Sequence, residues 1–502
     1  MVRACRWSRP CFAIAAFVCL VPAASTAHAQ RVAWTTTLGA SLRNPMAWHP
    51  LASDAVGNVF VVFNVLSGTT SQIVTVKLTP NGAEAWRATF SSVNNAYANT
   101  IATDDAGNVI VAASAVPAAS PNPGGPGDYL TIKYDAGGHE LWRRSANVSP
   151  PLNAVPFAIA VDNANNVYVT GGSNYVPGFN NLGDFFTLKY APDGAELWRA
   201  VTDGGSNLAD IAHAIALDGA GNVYIAGASY YPVGVGGAWP AGMIVKYGVG
   251  GTFQWRGGFD GGGGGYGDGV AVAPDGVGNV YLVTTSTTGD LTLAPVPLIQ
   301  LGKFDSQGNL LWSVDATERD PPLFGGAGRA RSLAVDRNGN AYVTGEYWQW
   351  LFINTRYTFL TLKYGPTGVE QWRTIDSANL VQAANYAQGL VVNGNDDVIV
   401  TSPRSSTTNG PGTTMKLGVA GQAYWHVDQP SVAPVAIVRG LANSVYVAGT
   451  SPAGLVVQKL VDDTAPDPAA TIPATSRRAL LLLALIVIVA AAHFGARRGV
   501  GR

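Results

Sequence analysis

Few side chains in this sequence combine the type and the spacing that acid–base or metal chemistry requires. Zinc sites need closely spaced histidine and cysteine ligands, and no two histidines here have that spacing. After residue 29 the histidines stand alone, at His49, His139, His213, His426 and His493. The G-x-S-x-G elbow, the P-loop and the S-x-x-K motif with its companions are also missing. The sequence therefore predicts no catalytic residue, no metal site and no cofactor.

Aspartates in long irregular segments are the remaining acid–base candidates. Asp203, Asp210, Asp260 and Asp268 lie in stretches rich in glycine and polar residues. Two carboxyl groups from different segments can act as an acid–base pair when they converge. Sequence spacing leaves open which of these four meet.

Aromatic residues mark two irregular segments as candidate binding loops. Exposed rings among glycine and asparagine suit stacking on sugars or contact with a protein partner. The alternative is that the rings cap the sheets and fill a central channel. Tyr175, Phe179 and Tyr266 occupy comparable loops. The binding candidates are Tyr230, Tyr231, Trp239, Tyr347, Trp348 and Trp350.

A repeated unit must hold these loops in place, because every lysine occupies the same position in a K-x4-G-x3-W pattern. Consecutive lysines of the first seven units are 53 to 60 residues apart, which is typical of propeller blades. An eighth lysine, Lys459, lacks a following tryptophan, and Trp34 lacks a preceding lysine. The seven complete pairs are Lys77 and Trp86, Lys133 and Trp142, Lys189 and Trp198, Lys246 and Trp255, Lys303 and Trp312, Lys363 and Trp372, and Lys416 and Trp425.

One unit, residues 157–200, predicts four short antiparallel strands, the plan of a propeller blade. Its first turn follows an Asp-x-x-x-Asn pattern, in which aspartate closes an Asx-turn on its own backbone. A calcium loop is the alternative, although the acidic residue that should follow is missing. The six turns of this type are Asp54/Asn58, Asp104/Asn108, Asp162/Asn166, Asp218/Asn222, Asp275/Asn279 and Asp336/Asn340.

The second turn of the unit sets the partners of the lysine. A four-residue loop would place Lys133 opposite Glu140 and Lys189 opposite Glu196, as favourable cross-strand charge pairs. The tryptophan two residues beyond the glutamate would then lie on the same face and pack against the next blade. We expect the lysines to be structural rather than catalytic.

The number of blades follows from the second strand, whose signature occurs eight times between Val59 and Val445. Residues 31–38 around Trp34 would supply the fourth strand of the last blade, whose other strands lie within 435–460. That arrangement closes the ring and removes both free sheet edges. Seven blades with a stray terminal strand is the alternative.

These repeats resemble the SBBP-type bacterial propeller repeat. Residues 341–345 read A-Y-V-T-G and residues 361–364 read T-L-K-Y, close to two of its lines. The resemblance covers about residues 31–460 and implies an extracellular or envelope propeller without a common reaction. A weaker resemblance, carried by Gly138 and Trp142 and their counterparts, is to eight-bladed quinoprotein propellers and their non-catalytic relatives.

The N-terminus predicts export. Residues 1–29 contain three arginines, a short apolar core and an A-x-A cleavage site, which together indicate a secretory signal peptide. The mature chain would begin at Gln30. All three cysteines lie in this leader, so the exported protein would contain no disulfide.

The C-terminus predicts a membrane or sorting segment. A linker rich in proline and alanine, residues 461–478, precedes a largely apolar stretch at 479–496 and a basic cytoplasmic tail at 497–502. The apolar stretch is about the minimum length for a membrane-spanning helix. The layout resembles IPTL- and PEP-type sorting signals, which implies a sorting protease. A plain membrane anchor is the alternative.

Charge argues against nucleic acid as a partner. Without three arginines in the leader and five after residue 476, 23 basic residues remain against 32 acidic ones, a net charge of −9. Nucleic-acid binding needs a basic surface.

The loops after strands two and four of each unit are long and irregular and would share one face. We therefore predict, for residues 30–460, an all-β propeller that binds a protein or glycan there without catalysis. The alternative is a quinoprotein-like or lyase-like enzyme with its site in the central channel.

Overall fold

Eight four-stranded β-sheets make up the part of the chain that the structure describes. The computed structural model describes residues 29–39, 49–92, 95–116, 127–146, 154–173, 183–204, 210–233, 237–259, 268–287, 297–317, 326–351, 354–376, 388–403 and 411–463. Residues 30–463 form one compact unit. No helix within these ranges is long and apolar enough to span a membrane. The leader, most of the linker, the 479–496 segment and the tail lie outside the described residues.

The first strand of the chain, β1 (Ala29–Thr37), precedes seven sheets of consecutive strands, which we call blades I to VII. Blade I contains β2 (Leu51–Ser53), β3 (Val59–Ser67), β4 (Thr70–Leu78) and β5 (Glu84–Phe90). Blade II contains β6 (Asn95–Thr103), β7 (Val109–Val116), β8 (Asp128–Tyr134) and β9 (Glu140–Ala146). Blade III contains β10 (Ala154–Val161), β11 (Val167–Ser173), β12 (Phe185–Tyr190) and β13 (Glu196–Thr202). Blade IV contains β14 (Asp210–Leu217), β15 (Val223–Val233), β16 (Gly237–Tyr247) and β17 (Phe253–Phe259).

The second half of the chain continues the same order. Blade V contains β18 (Asp268–Pro274), β19 (Val280–Thr287), β20 (Pro297–Phe304) and β21 (Leu310–Asp315). Blade VI contains β22 (Gly326–Val335), β23 (Ala341–Leu351), β24 (Asn354–Tyr364) and β25 (Glu370–Asp376). Blade VII contains β26 (Gly389–Val392), β27 (Val398–Pro403), β28 (Gly412–Leu417) and β29 (Ala423–Gln429). The last sheet, blade VIII, contains β30 (Ala433–Arg439), β31 (Val445–Ser451) and β32 (Gly454–Asp463) and takes β1 as its outer strand.

The predicted eight-bladed ring with a mixed terminal blade is therefore confirmed, and the seven-bladed alternative is wrong. Hydrogen bonding of β1 to β32 removes the unpaired edges that an open array of sheets would expose. The last strand runs to Asp463, so the first three residues of the expected linker belong to blade VIII.

The sheets are stable because their middle strands are covered on both faces. Every residue of β11 and of β12 is buried, and both strands are rich in β-branched and aromatic residues. The outer strand β13 instead alternates between exposed and half-buried positions, with Trp198 among the half-buried ones. The core consists of apolar layers between neighbouring blades, such as the layer that joins Phe60 of blade I to Ile132 of blade II.

The predicted pairing of lysine with glutamate is wrong. Lys133 lies opposite Trp142, whereas Glu140 lies opposite Tyr134. The outer strand carries one additional residue, Leu141, so that a β-bulge shifts the register after the lysine. Glu140 forms its ion pair on the surface with Arg143, with 2.6 Å between Oε1 and Nε.

Lys133, Lys189, Lys303 and Lys416 instead meet the aspartate of the first turn in their own blade. The ammonium of Lys133 lies 2.8 Å from the carboxylate of Asp104, and both side chains are almost fully buried. The corresponding distance from Lys303 to Asp275 is 3.1 Å. A buried charge of either sign is costly without such a partner, so the lysine and the Asx-turn stabilise one another.

The Asx-turns have the predicted form. In Asp162, Oδ1 accepts hydrogen bonds from the backbone N–H groups of Ala164 and Asn166, and Oδ2 accepts from the side chains of Asn166 and Tyr168. Blade VII has the same turn with the two residues exchanged, Asn393 first and Asp397 last. The exchange keeps a carboxylate 3.0 Å from Lys416.

Tryptophan and lysine together fasten each blade to the next. The indole N–H of Trp86 and the ammonium of Lys77 both donate to the carbonyl of Ala136 in the second turn of blade II. The face of the Trp86 ring lies on Gly138, where an added Cβ would meet the ring at 2.7 Å and where φ is +89°. Only glycine fits both constraints, and this explains the K-x4-G-x3-W spacing.

The junction between blades VII and VIII lacks such a turn, because β32 and β1 come from opposite ends of the chain. Asp462 replaces it. One of its carboxylate oxygens accepts from the indole of Trp425 at 2.7 Å and the other from Lys416 at 2.5 Å. We call these three side chains the closure clasp.

Candidate functional site

The first strands of the eight blades surround the centre of the propeller. Each inner strand contacts the inner strand of the next blade, and β30 contacts β2, so that the ring is closed. Side chains from every blade can therefore converge at the axis, although they are far apart in sequence.

A β-bulge at the same place in six inner strands turns one side chain out of the regular alternation. Register shifts occur, for example, between Pro156 and Ala158 and between Ala212 and Ala214. Bulges redirect a side chain and are common next to functional sites. The six bulged residues are Asn99, Phe157, His213, Val270, Arg331 and Val435.

His49 and Gln388 complete the set in blades I and VII. Both lie five residues before the first residue of the following turn, the same spacing that separates each bulged residue from its turn. We call these eight positions the inner ring. Seven of its members line one central cavity: His49, Phe157, His213, Val270, Arg331, Gln388 and Val435.

The central cavity has a volume of about 770 Å³, within the range of small-molecule and oligosaccharide sites. Tyr230, Thr285 and Pro297 also line it. Thr285 and Pro297 flank the long connection between β19 and β20, so the cavity lies towards the irregular-loop face of the propeller. Apolar contacts such as Leu51 and Leu390 complete the wall.

Nitrogen-containing side chains line the cavity wall, whereas the body of the chain is acidic overall. Two arginines and two histidines line it, and no aspartate or glutamate does among the described lining residues. Arg331 forms an ion pair with Glu346, with 3.0 Å between Nε and Oε1. The rings of Phe157 and His213 have centroids 5.3 Å apart and form a tilted aromatic pair. The wall can therefore stack on a flat ligand and donate hydrogen bonds to it.

A second group of polar residues lies between blades III and IV on the same face. Asp184 precedes β12, Asp203 follows β13 and Asp210 begins β14. One oxygen from each carboxyl lies within 4.8 Å of the others. Burial raises the pKa of Asp210 to about 6, and the charges of Asp203 and Asp184 add to this, while Gly204 and Ser229 oppose it. Burial, with the nearby Asp203, also raises the pKa of Asp184.

A family model described as a beta-propeller repeat, SBBP, matches residues 323–346. The matched segment covers the inner strand of blade VI, the turn after it and the first half of β23, so it identifies a propeller repeat rather than an activity. No curated protein matches the sequence.

Solved structures show the same architecture at low sequence identity. The Dos1 propeller has a TM-score of 0.52 at 8% identity, covering 86% of this chain and 95% of that one. Sqt1 from Chaetomium thermophilum has a TM-score of 0.50 at 9% identity, covering 85% and 99%. The polysaccharide lyase Uly1 has a TM-score of 0.41 at 9% identity, covering 84% and 92%, which is too low to bear on activity. These likenesses show the propeller fold alone.

The aromatic binding candidates lie on strands and not in loops, which corrects the sequence interpretation. Tyr230, Tyr231 and Trp239 belong to the hairpin of β15 and β16, in which Tyr231 lies opposite Trp239. Tyr347, Trp348 and Trp350 belong to the hairpin of β23 and β24. β15 and β23 are 11 residues long each, because the ladder of each hairpin continues beyond the regular blade.

The two described side chains in this group have different environments. Tyr230 lines the central cavity, whereas Tyr347 is 9% exposed and belongs to the apolar core between blades V and VI. Tyr347 therefore packs between two blades, and a binding role for the six aromatic residues stays a prediction. Tyr175, Phe179 and Tyr266 lie outside the described residues.

Sequence reasoning missed the convergence of His49, His213 and Arg331 at one cavity. His139 remains in an exposed turn beside Asp135, and His426 is exposed on β29. A usable signal existed, since all eight inner-ring residues precede their turn by five positions. Of the candidate aspartates, Asp203 and Asp210 meet, Asp268 begins β18 and Asp260 lies outside the described residues.

Proposed function

We propose that this chain is an exported β-propeller that acts as a non-enzymatic binding or scaffold module. Its ligand, a glycan, enters the central cavity from the irregular-loop face. The leader and the C-terminal segment support secretion, followed either by retention in the envelope or by sorting to the surface through a sorting protease.

The inner ring carries this proposal. Positions that build the blade repeat their residue type around the molecule, as the lysine and tryptophan of the interblade contacts do. The inner ring instead holds two histidines, an asparagine, a phenylalanine, an arginine, a glutamine and two valines on one repeated backbone. Blade architecture does not need this diversity, because the same bulge forms with valine in blade V and with arginine in blade VI. Diverse side chains on a rigid scaffold are typical of ligand recognition.

A glycan fits the cavity better than a protein surface does. The site is concave and enclosed by strands from most of the blades, whereas protein interfaces are broader and flatter. Phe157 and Tyr230 offer rings for stacking on a sugar, and His213, Gln388 and Arg329 offer hydrogen-bond donors to hydroxyl or carboxylate oxygens. Arg329 could bind the carboxylate of an acidic sugar.

A glycan array followed by calorimetry tests the proposal. The full chain should bind a defined set of sugars, and Phe157→Ala and His213→Ala should each weaken binding by about tenfold. Leu197→Ala, an exposed substitution on the outer strand β13, provides the matched control and should bind like the parent. Absence of glycan binding, or unchanged affinity in both cavity variants, would refute the proposal.

An enzyme of the lyase type is the second candidate, favoured by one observation. His213 and Tyr230 of blade IV line the same cavity as Arg329 of blade VI. A histidine can remove the proton next to a uronic acid carboxylate that an arginine binds, and the electron pair then forms the double bond. The tyrosine can protonate the departing glycosidic oxygen. The described cavity offers no comparable support for quinoprotein chemistry.

Incubation with uronate polysaccharides separates the two functions. A lyase forms an unsaturated product that absorbs in the ultraviolet, and His213→Ala would abolish its formation. Binding without product supports the non-enzymatic function. Product formation at the same rate in His213→Ala would exclude this residue as the base.

A further inference from the structure

We propose that Asp184, Asp203 and Asp210 bind a calcium ion that joins blade III to blade IV on the irregular-loop face. This site is separate from the glycan cavity and does not depend on the proposed function.

The three carboxyl groups come from three different segments. Asp184 is held by reciprocal hydrogen bonds with Ser173, whose N–H donates to the Asp184 carbonyl at 2.9 Å and whose hydroxyl accepts from the Asp184 N–H at 3.0 Å. Asp203 lies directly after β13, and its backbone carbonyl accepts a hydrogen bond from Arg256 at 3.1 Å. Asp210 pairs across the sheet with Ser229. Regular strands thus position all three side chains.

A second observation, independent of the clustering, points to a bound cation. The side chain of Asp210 is fully buried, at 0% exposure. Its Oδ2 accepts from the N–H of Gly204, but its Oδ1 makes no hydrogen bond within the described part of the chain. The Ser229 hydroxyl lies close enough to lower the pKa of Asp210, yet it makes no well-formed bond to Oδ1. Buried polar atoms are rarely left in this state, and a cation would satisfy this oxygen.

The ligand type and the irregular arrangement favour calcium over the other common ions. Ca²⁺ accepts about six to eight oxygen ligands in a flexible geometry, whereas Mg²⁺ requires a nearly ideal octahedron. Here three carboxyl groups from three separate segments converge, with one oxygen of each within 4.8 Å of the others. A set made only of carboxylates is also unsuited to zinc, which favours nitrogen and sulfur ligands.

The ion would stabilise the junction beside the glycan cavity. Asp210 begins the inner strand that carries His213, and its cross-strand partner Ser229 precedes Tyr230. Without a cation, the negative charges repel one another between two blades. When a cation is bound, all three carboxylates are attracted to the same ion. Blades III and IV should then separate less readily.

Titration calorimetry with CaCl₂ tests the site in the full chain, after treatment with EDTA. We expect one saturable site and a higher melting temperature with Ca²⁺, with weaker binding of MgCl₂. Asp203→Asn and Asp210→Asn should each lower the affinity by at least about tenfold, because each removes a charged ligand. If Asp210→Asn fails to fold, the Asp203→Asn variant still tests Ca²⁺ binding, because Asp203 is only half-buried.

Asp105→Asn provides the control, since it removes the same charge from an exposed position of blade II. It should bind Ca²⁺ like the parent protein. The proposal is overturned if the parent shows no saturable binding, if both cluster variants bind unchanged, if the control loses affinity equally, or if Mg²⁺ binds as tightly. Carboxyls that share a proton instead of a metal would give the first of these results.

Discussion

Asp210 illustrates how strongly one buried side chain responds to its setting. Its unfolded pKa is that of an ordinary aspartate, about 3.9, while burial and two neighbouring aspartates raise the pKa to about 6 in the fold. The native state therefore binds more protons than the unfolded state between these values. Stability must fall as pH rises through this range.

We expect this fall in a buffer free of divalent cations, with a loss of about 1–2 kcal/mol between pH 4 and pH 7 from this residue, allowing for solvent at the loop face. Asp210→Asn should remove most of that pH dependence, because asparagine carries no titrating proton. Urea unfolding at several pH values measures the effect, with Asp105→Asn as the control of equal charge. An identical pH dependence in Asp210→Asn and the parent would contradict the pKa shift.

The exchanged Asx-turn of blade VII is informative at the scale of an element. In blades II, III and V, aspartate comes first and lysine reaches its carboxylate. In blade VII Asp397 comes last and still meets Lys416. The Asp/Asn form of the turn therefore works with the carboxylate and the amide in either order. Reciprocal hydrogen bonds between Asn393 and Asp397 explain this symmetry.

A double exchange tests the turn. Asp397→Asn alone should destabilise the protein by about 2 kcal/mol or more, because it deprives the buried Lys416 of one of its two carboxylate partners. Adding Asn393→Asp restores a carboxylate in the order found in the other blades and should recover most of the loss. The midpoint of chemical unfolding measures both effects. A double variant as unstable as the single one would show that order matters.

The whole molecule depends on closing a ring whose ends are the ends of the chain. Seven junctions use a tryptophan that lies on a glycine in a continuous turn, including Trp34 on Gly82. The eighth uses the closure clasp, where Asp462 accepts hydrogen bonds from Trp425 and Lys416. Burial lowers the pKa of Lys416, but the aspartates Asp462 and Asp397 more than compensate and raise it.

We expect Asp462→Ala to weaken this junction first. It leaves a buried indole N–H without its acceptor and removes one carboxylate from Lys416, at a cost of about 2 kcal/mol. Hydrogen exchange should accelerate several-fold in β1 and β32 and change little in blades III to V. Asp315→Ala, on the exposed outer strand β21, is the control. Uniform acceleration in all blades would contradict a local role.

Internal repetition made the blade plan, the eight-fold count and the mixed terminal blade predictable from the sequence alone. Alternating and apolar segments are local signals for strands. The lysine, glycine and tryptophan at fixed spacing mark seven copies of the same unit. The orphan Trp34 was sufficient to predict ring closure. The predicted partner of the lysine was wrong, because a single bulged residue such as Leu141 changes which side chains face each other. The residue composition of the strands does not indicate where such a bulge occurs.

Only the tertiary structure decided which distant residues share a site. His49, His213 and Arg331 belong to blades I, IV and VI, and they meet because the closed ring of inner strands brings the inner-ring positions to a common axis. Asp184, Asp203 and Asp210 meet because two strand ends of blade III lie beside the first strand of blade IV. The sequence by itself determined the repeated blade, since its hydrogen bonds and periodicity are local. The tertiary structure decided the cavity and the acidic cluster, since both arise from contacts between blades that no spacing within one repeat encodes.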